Sequence, residues 1–261
     1  MAPHAKNFEY LVAEGTAVPV EGWDFSWFAG RATEERPPWG YAAMVSQRLA
    51  SAPSALDVQT GGGEVFAWAL GHAAGRPRQL AATEGWLPNI EVARRALSRF
   101  GVRVEHAAED APFPFDSGTF DLVTSRHPVS TGWGEVARVL RPGGVYLSQQ
   151  VGPGSNRELS DFLMGPQPVG TSRSAATAVR AARRAGLEVT DLREARLRVE
   201  FFDVGAVVYF LRKVIWTVPD FEVGLYRDRL LALHHEIERA GSFACHSRRF
   251  LIEARRRPAT G

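Results

Sequence analysis

Cysteine, lysine and unbroken apolar runs are what this 261-residue chain has least of. Its single thiol, Cys245, cannot close an internal disulfide and leaves no thiolate cluster for a metal, so a reducing cytoplasm is the expected compartment. No stretch approaches the roughly 18 apolar residues that span a bilayer. The opening MAPHAKNFEYLVAEG carries acidic residues where a signal peptide needs an apolar core, and no membrane partner is expected. Arginine outweighs lysine, but the formal charge is only +2. The one short basic run, Arg255-Arg256-Arg257, is weak support for a polyanionic partner. Metal-ligating side chains do not cluster: His234, His235 and Glu236 are the only tight set, and neighbours on a helix point to different faces. No metal is expected. Internal repeats and low-complexity tails are missing too.

What is present is an ordinary globular composition, 45% hydrophobic and 23% charged, compatible with a single domain over residues 1–261. From Ser54 the chain alternates short β-like runs with helical stretches, which is the rhythm of βαβ units. One helix is clearly marked: Pro88 and Asn89 precede Ile90, Val92, Ala93, Ala96, Leu97 and Phe100 on one stripe, and Gly101 stops it. FDLVTSR (120–126) and VYLSQQV (145–151) read as parallel strands, joined by a helix near 134–140 and the turn Arg141-Pro142-Gly143-Gly144. Residues 1–50 are expected to form an N-terminal lid, 54–151 a cofactor-binding core, 152–240 insertions and helices on the acceptor side, and 248–257 a final strand.

The strongest local signal is Leu56-Asp57-Val58-Gln59-Thr60-Gly61-Gly62-Gly63-Glu64, an apolar strand ending in a glycine turn that runs into a helix. Glycines let the backbone approach a ligand, and the amides with the helix start offer donors to a carboxylate or phosphate. A tight turn without any ligand would look the same in isolation. Farther on, Thr83-Glu84-Gly85 ends the next strand, where an acid can accept hydrogen bonds from both ribose hydroxyls. An NAD-type fingerprint would want a third glycine where Phe66 stands.

The ordered set LDVQTGGGE, ATEGW, AEDAPFPFDSGTFDLV and EVARVLRPGGVYL, across residues 54–151, resembles the class I S-adenosylmethionine-dependent methyltransferases. It is most similar to their type 11 group, which includes quinone-biosynthesis and ribosomal-RNA guanine methyltransferases. The resemblance implies a Rossmann-like α/β fold: a seven-stranded sheet with its last strand antiparallel and helices on both faces. It also implies S-adenosyl-L-methionine as cofactor. Gly61 and Gly63 would hold its methionine part, Asp57 its ammonium, Glu84 the ribose hydroxyls, and Glu109 or Asp110 the adenine edge. Gln59, Thr60, Gly85, Trp86, Ala108, Ser125 and Arg126 complete the expected cofactor set. Two positions depart from the family pattern: Gln59 stands where the first glycine of the turn is usual, and Ala107 where an aspartate often precedes the adenine loop. A positive φ at Gln59 would cost about 1–3 kcal/mol.

Methyl transfer from a sulfonium is an in-line displacement, so the protein must align donor and acceptor and, for some acceptors, remove a proton. His127, in the loop after the fourth strand, is the candidate base, with an ordinary loop histidine as the competing reading; His235 and His246 are weaker candidates. Trp23, Phe25, Trp27, Trp39 and Tyr41 could form an aromatic lid, and Tyr209, Phe210 and Trp216 an apolar wall, although aromatics are more often core. Arg31, with Glu34, Glu35 and Arg36, could touch ligand or pin the lid by ion pairs. The expected substrate contacts are thus Trp27, Arg31, Tyr41, Tyr209, Trp216 and His235. The expected function is methylation of an oxygen or nitrogen on a small, partly apolar metabolite by a monomer or homodimer. RNA methylation and a cofactor-binding, non-catalytic relative are the alternatives.

Overall fold

A computed structural model describes residues 7–20 and 25–258; Trp23, named above for the lid, lies outside them. In chain order the elements are α1 (Phe8–Ala17), β1 (Ala32–Glu34), α2 (Tyr41–Ser51), β2 (Ser54–Asp57), α3 (Glu64–His72), β3 (Gln79–Glu84), α4 (Leu87–Leu97), β4 (Arg103–His106) and β5 (Phe120–Arg126). There follow α5 (Trp133–Val139), β6 (Leu140–Val151), α6 (Arg157–Met164), α7 (Ala175–Arg184), β7 (Leu187–Phe201), α8 (Val204–Lys213), α9 (Arg227–Ala240) and β8 (Phe243–Arg256). They fall into two compact units: Pro37–Pro153 with Thr171–Ala195 and Arg249–Gly261, and Met1–Arg36 with Gly154–Gly170 and Arg196–Arg248.

The larger unit is a wound α/β sheet. β2 pairs in parallel with β3 on one side and β5 on the other, β3 with β4, and β5 with β6, while β8 lies antiparallel to β6. Parallel strands covered on both faces should be apolar throughout yet sort their side chains by a period of two. They do. Ala55, Leu80, Ala82 and Leu122 face Leu49 of α2, Phe66 and Leu70 of α3, and Ile90 and Leu97 of α4. Leu56, Ala81 and Val123 face the opposite layer, with Val136 and Val139 of α5 and Ala182 of α7. The stripe read for α4 is the buried one, and Gly101 ends the helical stretch at φ 70°.

Eight strands are described rather than the seven expected, the extra one being β1, which pairs antiparallel with β7 from Ala32 to Glu34. Its sequence had suggested ligand contacts or lid-pinning ion pairs but no strand, because three residues carry no readable periodicity. The turn expected at 141–144 is a bulge inside β6: Phe120 pairs with Leu140 and Leu122 already with Val145. Gly143 sits at φ 83°, and a Cβ on Gly144 would press on the carbonyls of Arg141 and Phe120, so glycine is required at both.

The smaller unit has its own core, with Phe8, Leu11, Leu159, Phe201, Val207, Leu211, Leu230 and Leu233 among its members. In it α1 and α8 meet at Gly15 and Gly205, where a Cβ on Gly15 would run into the carbonyl of Gly205. Among the described residues no helix is long and apolar enough to cross a membrane.

Candidate active site

Because β2 to β6 run parallel, their carboxyl ends share one edge, which carries Asp57, Glu84, His106 and Arg126. The chain winds outward from β2 in one direction through β3 and β4, and in the other through β5 and β6. The crevice at that switch is where open α/β sheets bind ligands.

The glycine turn lies there. Gly61 and Gly63 have φ of 63° and 81°, and Gly63 caps α3. Glu84, buried at the tip of β3, accepts from the Gly61 amide at 2.7 Å through one carboxylate oxygen and from the Trp86 amide at 2.9 Å through the other. One acid therefore fixes both the turn and the start of α4, with the Gly85 amide adding to its hydrogen bonds. Burial, partly countered by these amides, raises the Glu84 pKa, with Glu109 adding to the rise. Asp57 accepts from Thr124 at 2.6 Å and Thr60 at 2.7 Å, yet burial dominates and brings it up to about 6. Gly85 and the exposed Trp86 follow Glu84, while Ala108, Glu109 and Asp110 form an exposed turn beyond β4.

Gln59 does adopt the left-handed backbone, at φ 54°. Its side chain spans two strand tips: Oε1 accepts from the Val129 amide at 2.7 Å and Nε2 donates to the Ser130 carbonyl at 2.8 Å. A glycine could not make that clamp. The strain of about 1–3 kcal/mol is offset by two hydrogen bonds of about 1 kcal/mol each. The clamped loop walls a cavity of about 330 Å³ lined by Val129, Ser130, Thr131, Trp133, Gln150, Arg173, Thr177 and Phe250 among others.

Several expected site residues do something else. Ser125 is buried, its hydroxyl shared with Tyr146 and Ser148, so it supports β5 from inside the sheet. Tyr41 is core, not lid: its hydroxyl donates to the Ser125 carbonyl at 2.8 Å. Trp39 is likewise buried, donating to Gln149. His127, expected as a base, has φ 54° and its Nε2 2.8 Å from the Gln149 amide nitrogen. Arg126 beside it is exposed.

The remaining substrate candidates belong to the smaller unit. Arg31 is held by Asp203 in a two-pronged pair at 2.8 Å and by Glu14 at 2.9 Å, and stacks on Trp27, which in turn meets Tyr209 edge-on. These contacts make Arg31 and Tyr209 structural anchors, with Tyr209 buried. Phe210 packs on Phe28 and Phe201, and Glu34 accepts from Ser247. Trp216 and His235 are exposed, and His246 is paired with Glu158. Sequence reasoning had missed Thr124 and Gln149, mid-strand polar residues with no motif around them, and gave no role to Thr83, which receives the Gln59 amide and, through its carbonyl, that of Thr60.

Residues 56–148 match the family model for a methyltransferase domain. That stretch is similar to a methyltransferase domain. The match runs from β2 through most of β6 and so contains the glycine turn, Glu84 and the tip of β5. Solved structures share the fold. A putative methyltransferase from Bacillus halodurans superposes with a TM-score of 0.57 at 17% identity, covering 83% of this chain and 98% of that one. The YcgJ protein of Bacillus subtilis gives 0.58 at 17% identity, with 84% and 98% covered. A protein of unknown function from Deinococcus radiodurans gives 0.56 at 13% identity, with 86% and 90% covered. No curated protein matches the sequence. The domain match and the Rossmann-like fold agree with the enzyme class expected from sequence, an S-adenosylmethionine-dependent methyltransferase.

Proposed function

We propose that the methyltransferase domain takes S-adenosylmethionine at the glycine turn and methylates an oxygen or nitrogen of a small, partly apolar molecule. Glu84 carries the cofactor half of this reading: a buried carboxylate at the tip of β3, tied to the Gly61 and Trp86 amides. That is the acceptor a ribose diol needs. Asp57, costly to ionise where it stands, gains most from a neighbouring ammonium. Glu109 and Asp110 would meet the adenine edge. The cofactor supplies an electrophilic methyl group; the chain's residues bind, orient and exclude water.

The cavity supports the acceptor half. Its volume of about 330 Å³ lies in the small-ligand range, and its wall mixes Val129, Trp133 and Phe250 with hydroxyls, Gln150 and Arg173. It shares residues 129 and 130 with the loop that Gln59 clamps to the glycine turn. A structured RNA would instead need several phosphate contacts and would show steep salt dependence.

The deciding experiment is calorimetric titration with S-adenosylmethionine, S-adenosylhomocysteine and NAD at low and high salt. Saturable binding of the two methionine cofactors alone is expected. Preference for NAD, or no binding, overturns the reading.

A further inference from the structure

The loop histidine at the end of β5 has a protonation pattern dictated by its neighbours. The indole N–H of Trp39 can only donate, and it donates to Oε1 of Gln149 at 2.7 Å. That fixes which end of the Gln149 amide is oxygen, so the end 2.8 Å from Nε2 of His127 is the NH2 group, also a pure donor. Nε2 must therefore be the acceptor, with its lone pair in use. The opposite amide orientation would set NH2 against an indole N–H where Trp39 and Gln149 are 8% and 3% exposed, leaving both donors unmatched. The His127 backbone amide donates to the Gln149 carbonyl at 2.7 Å, holding the ring's base in the same register.

We propose that His127 is a fixed hydrogen-bond donor and not a base: the relay from Trp39 through Gln149 keeps its proton on Nδ1, where it is offered to an anionic oxygen of a bound ligand. Nδ1 has no protein partner among the described residues, and His127 is half-buried at the sheet's carboxyl edge. The charged groups acting on the ring are Arg126 and Arg249, both positive, which favours an anion there. Burial and these two arginines hold the imidazole well below its usual range, so it stays neutral. Trp39 and Gln149 are positioning residues. The oxygen belongs either to the cofactor's carboxylate or to an acidic methyl acceptor; this ligand half rests on the methyltransferase reading, while the tautomer does not.

The test is long-range 1H–15N correlation spectroscopy on the 15N-histidine-labelled protein. At neutral pH the His127 ring should show the Nδ1–H pattern; an Nε2–H or imidazolium pattern overturns the proposal. Gln149→Glu should move the proton to Nε2, and Trp39→Phe, which frees the amide to turn, should give a mixture. Either variant that folds keeps the question open to measurement, and an unchanged pattern in both overturns the relay. Addition of S-adenosylhomocysteine should shift the Hδ1 signal downfield if the oxygen is the cofactor's; a shift only when benzoate joins that complex assigns it to an acceptor. Calorimetry then separates the two readings: absent S-adenosylhomocysteine binding refutes the methyltransferase site, whereas tight binding with no Hδ1 shift under either condition refutes the donor. In the first case, His127→Leu should weaken S-adenosylhomocysteine roughly 10-fold or more and His127→Asn should recover most of it, with 5′-methylthioadenosine, which lacks the carboxylate, unaffected.

Discussion

On the β2–β3 side of the switch point two carboxyls, Asp57 and Glu84, are buried and raised toward their neutral forms. On the β5–β6 side, His127 is also held neutral, but there two arginines add to the effect of burial. The first side would gain from a cation and from hydroxyl donors; the second would gain from an anion. A parallel sheet can place such opposites a strand apart because each tip belongs to a different βα connection, and the wall between them is backbone. Under the proposed function an amino-acid zwitterion laid across the switch meets both.

The comparison breaks most visibly at Glu84. Glu84→Gln leaves an NH2 facing a backbone amide and halves the charge-assisted acceptors, so S-adenosylhomocysteine should bind about 100-fold more weakly by calorimetry. Unchanged affinity would show that the acid side is not the ligand side.

Asp57→Asn tests the cost of the buried charge. The folded carboxyl titrates at about 6 against a usual 3.8, so the folded state holds the extra proton between those values. Stability therefore falls as pH rises through that window, and above it the folded protein bears the full cost, on the order of 1–3 kcal/mol. Urea titrations should find Asp57→Asn more stable than the parent at pH 8 by about that amount and equal to it near pH 4, with weaker cofactor binding. A variant less stable at pH 8 would mean the threonine hydrogen bonds outweigh burial.

The clamp between the two sides separates its terms in two substitutions. Gln59→Ala keeps the left-handed strain and loses both hydrogen bonds, costing about 2 kcal/mol; Gln59→Gly removes the strain as well and should cost about 1 kcal/mol or less. The reverse order would assign the strain elsewhere. The smallest signal is proton release: a cofactor ammonium beside Asp57 lowers its pKa, so binding near pH 6 should liberate a fraction of a proton. Calorimetry in buffers of different ionisation enthalpy reads this, and proton uptake would contradict the cation-seeking side.

The sequence was most legible where one physical signal acts alone. β5 has the bounds its apolar and β-branched run suggests, and α4 has its proline start and glycine stop. The glycine turn and Glu84 were legible from their order along the chain. β1 was not, because three residues acquire strand geometry only from pairing with β7. The RPGG segment showed its glycines but not that the strand resumes around them. Tyr41, Ser125 and Trp39 were misplaced for one reason: an aromatic or hydroxyl side chain reads alike whether it faces a ligand or a buried partner, and only packing separates the cases.

Trp86 is tied to Glu84 through its amide while its indole is 49% exposed. The molecule thus has its own optical gauge. A nucleoside resting against Glu84 would strip water from that ring, moving its emission and shielding it from a dissolved quencher, so occupancy can be followed at low protein concentration without a label. Changing Trp86 to phenylalanine should remove that part of the signal while the remaining six tryptophans continue to report the fold.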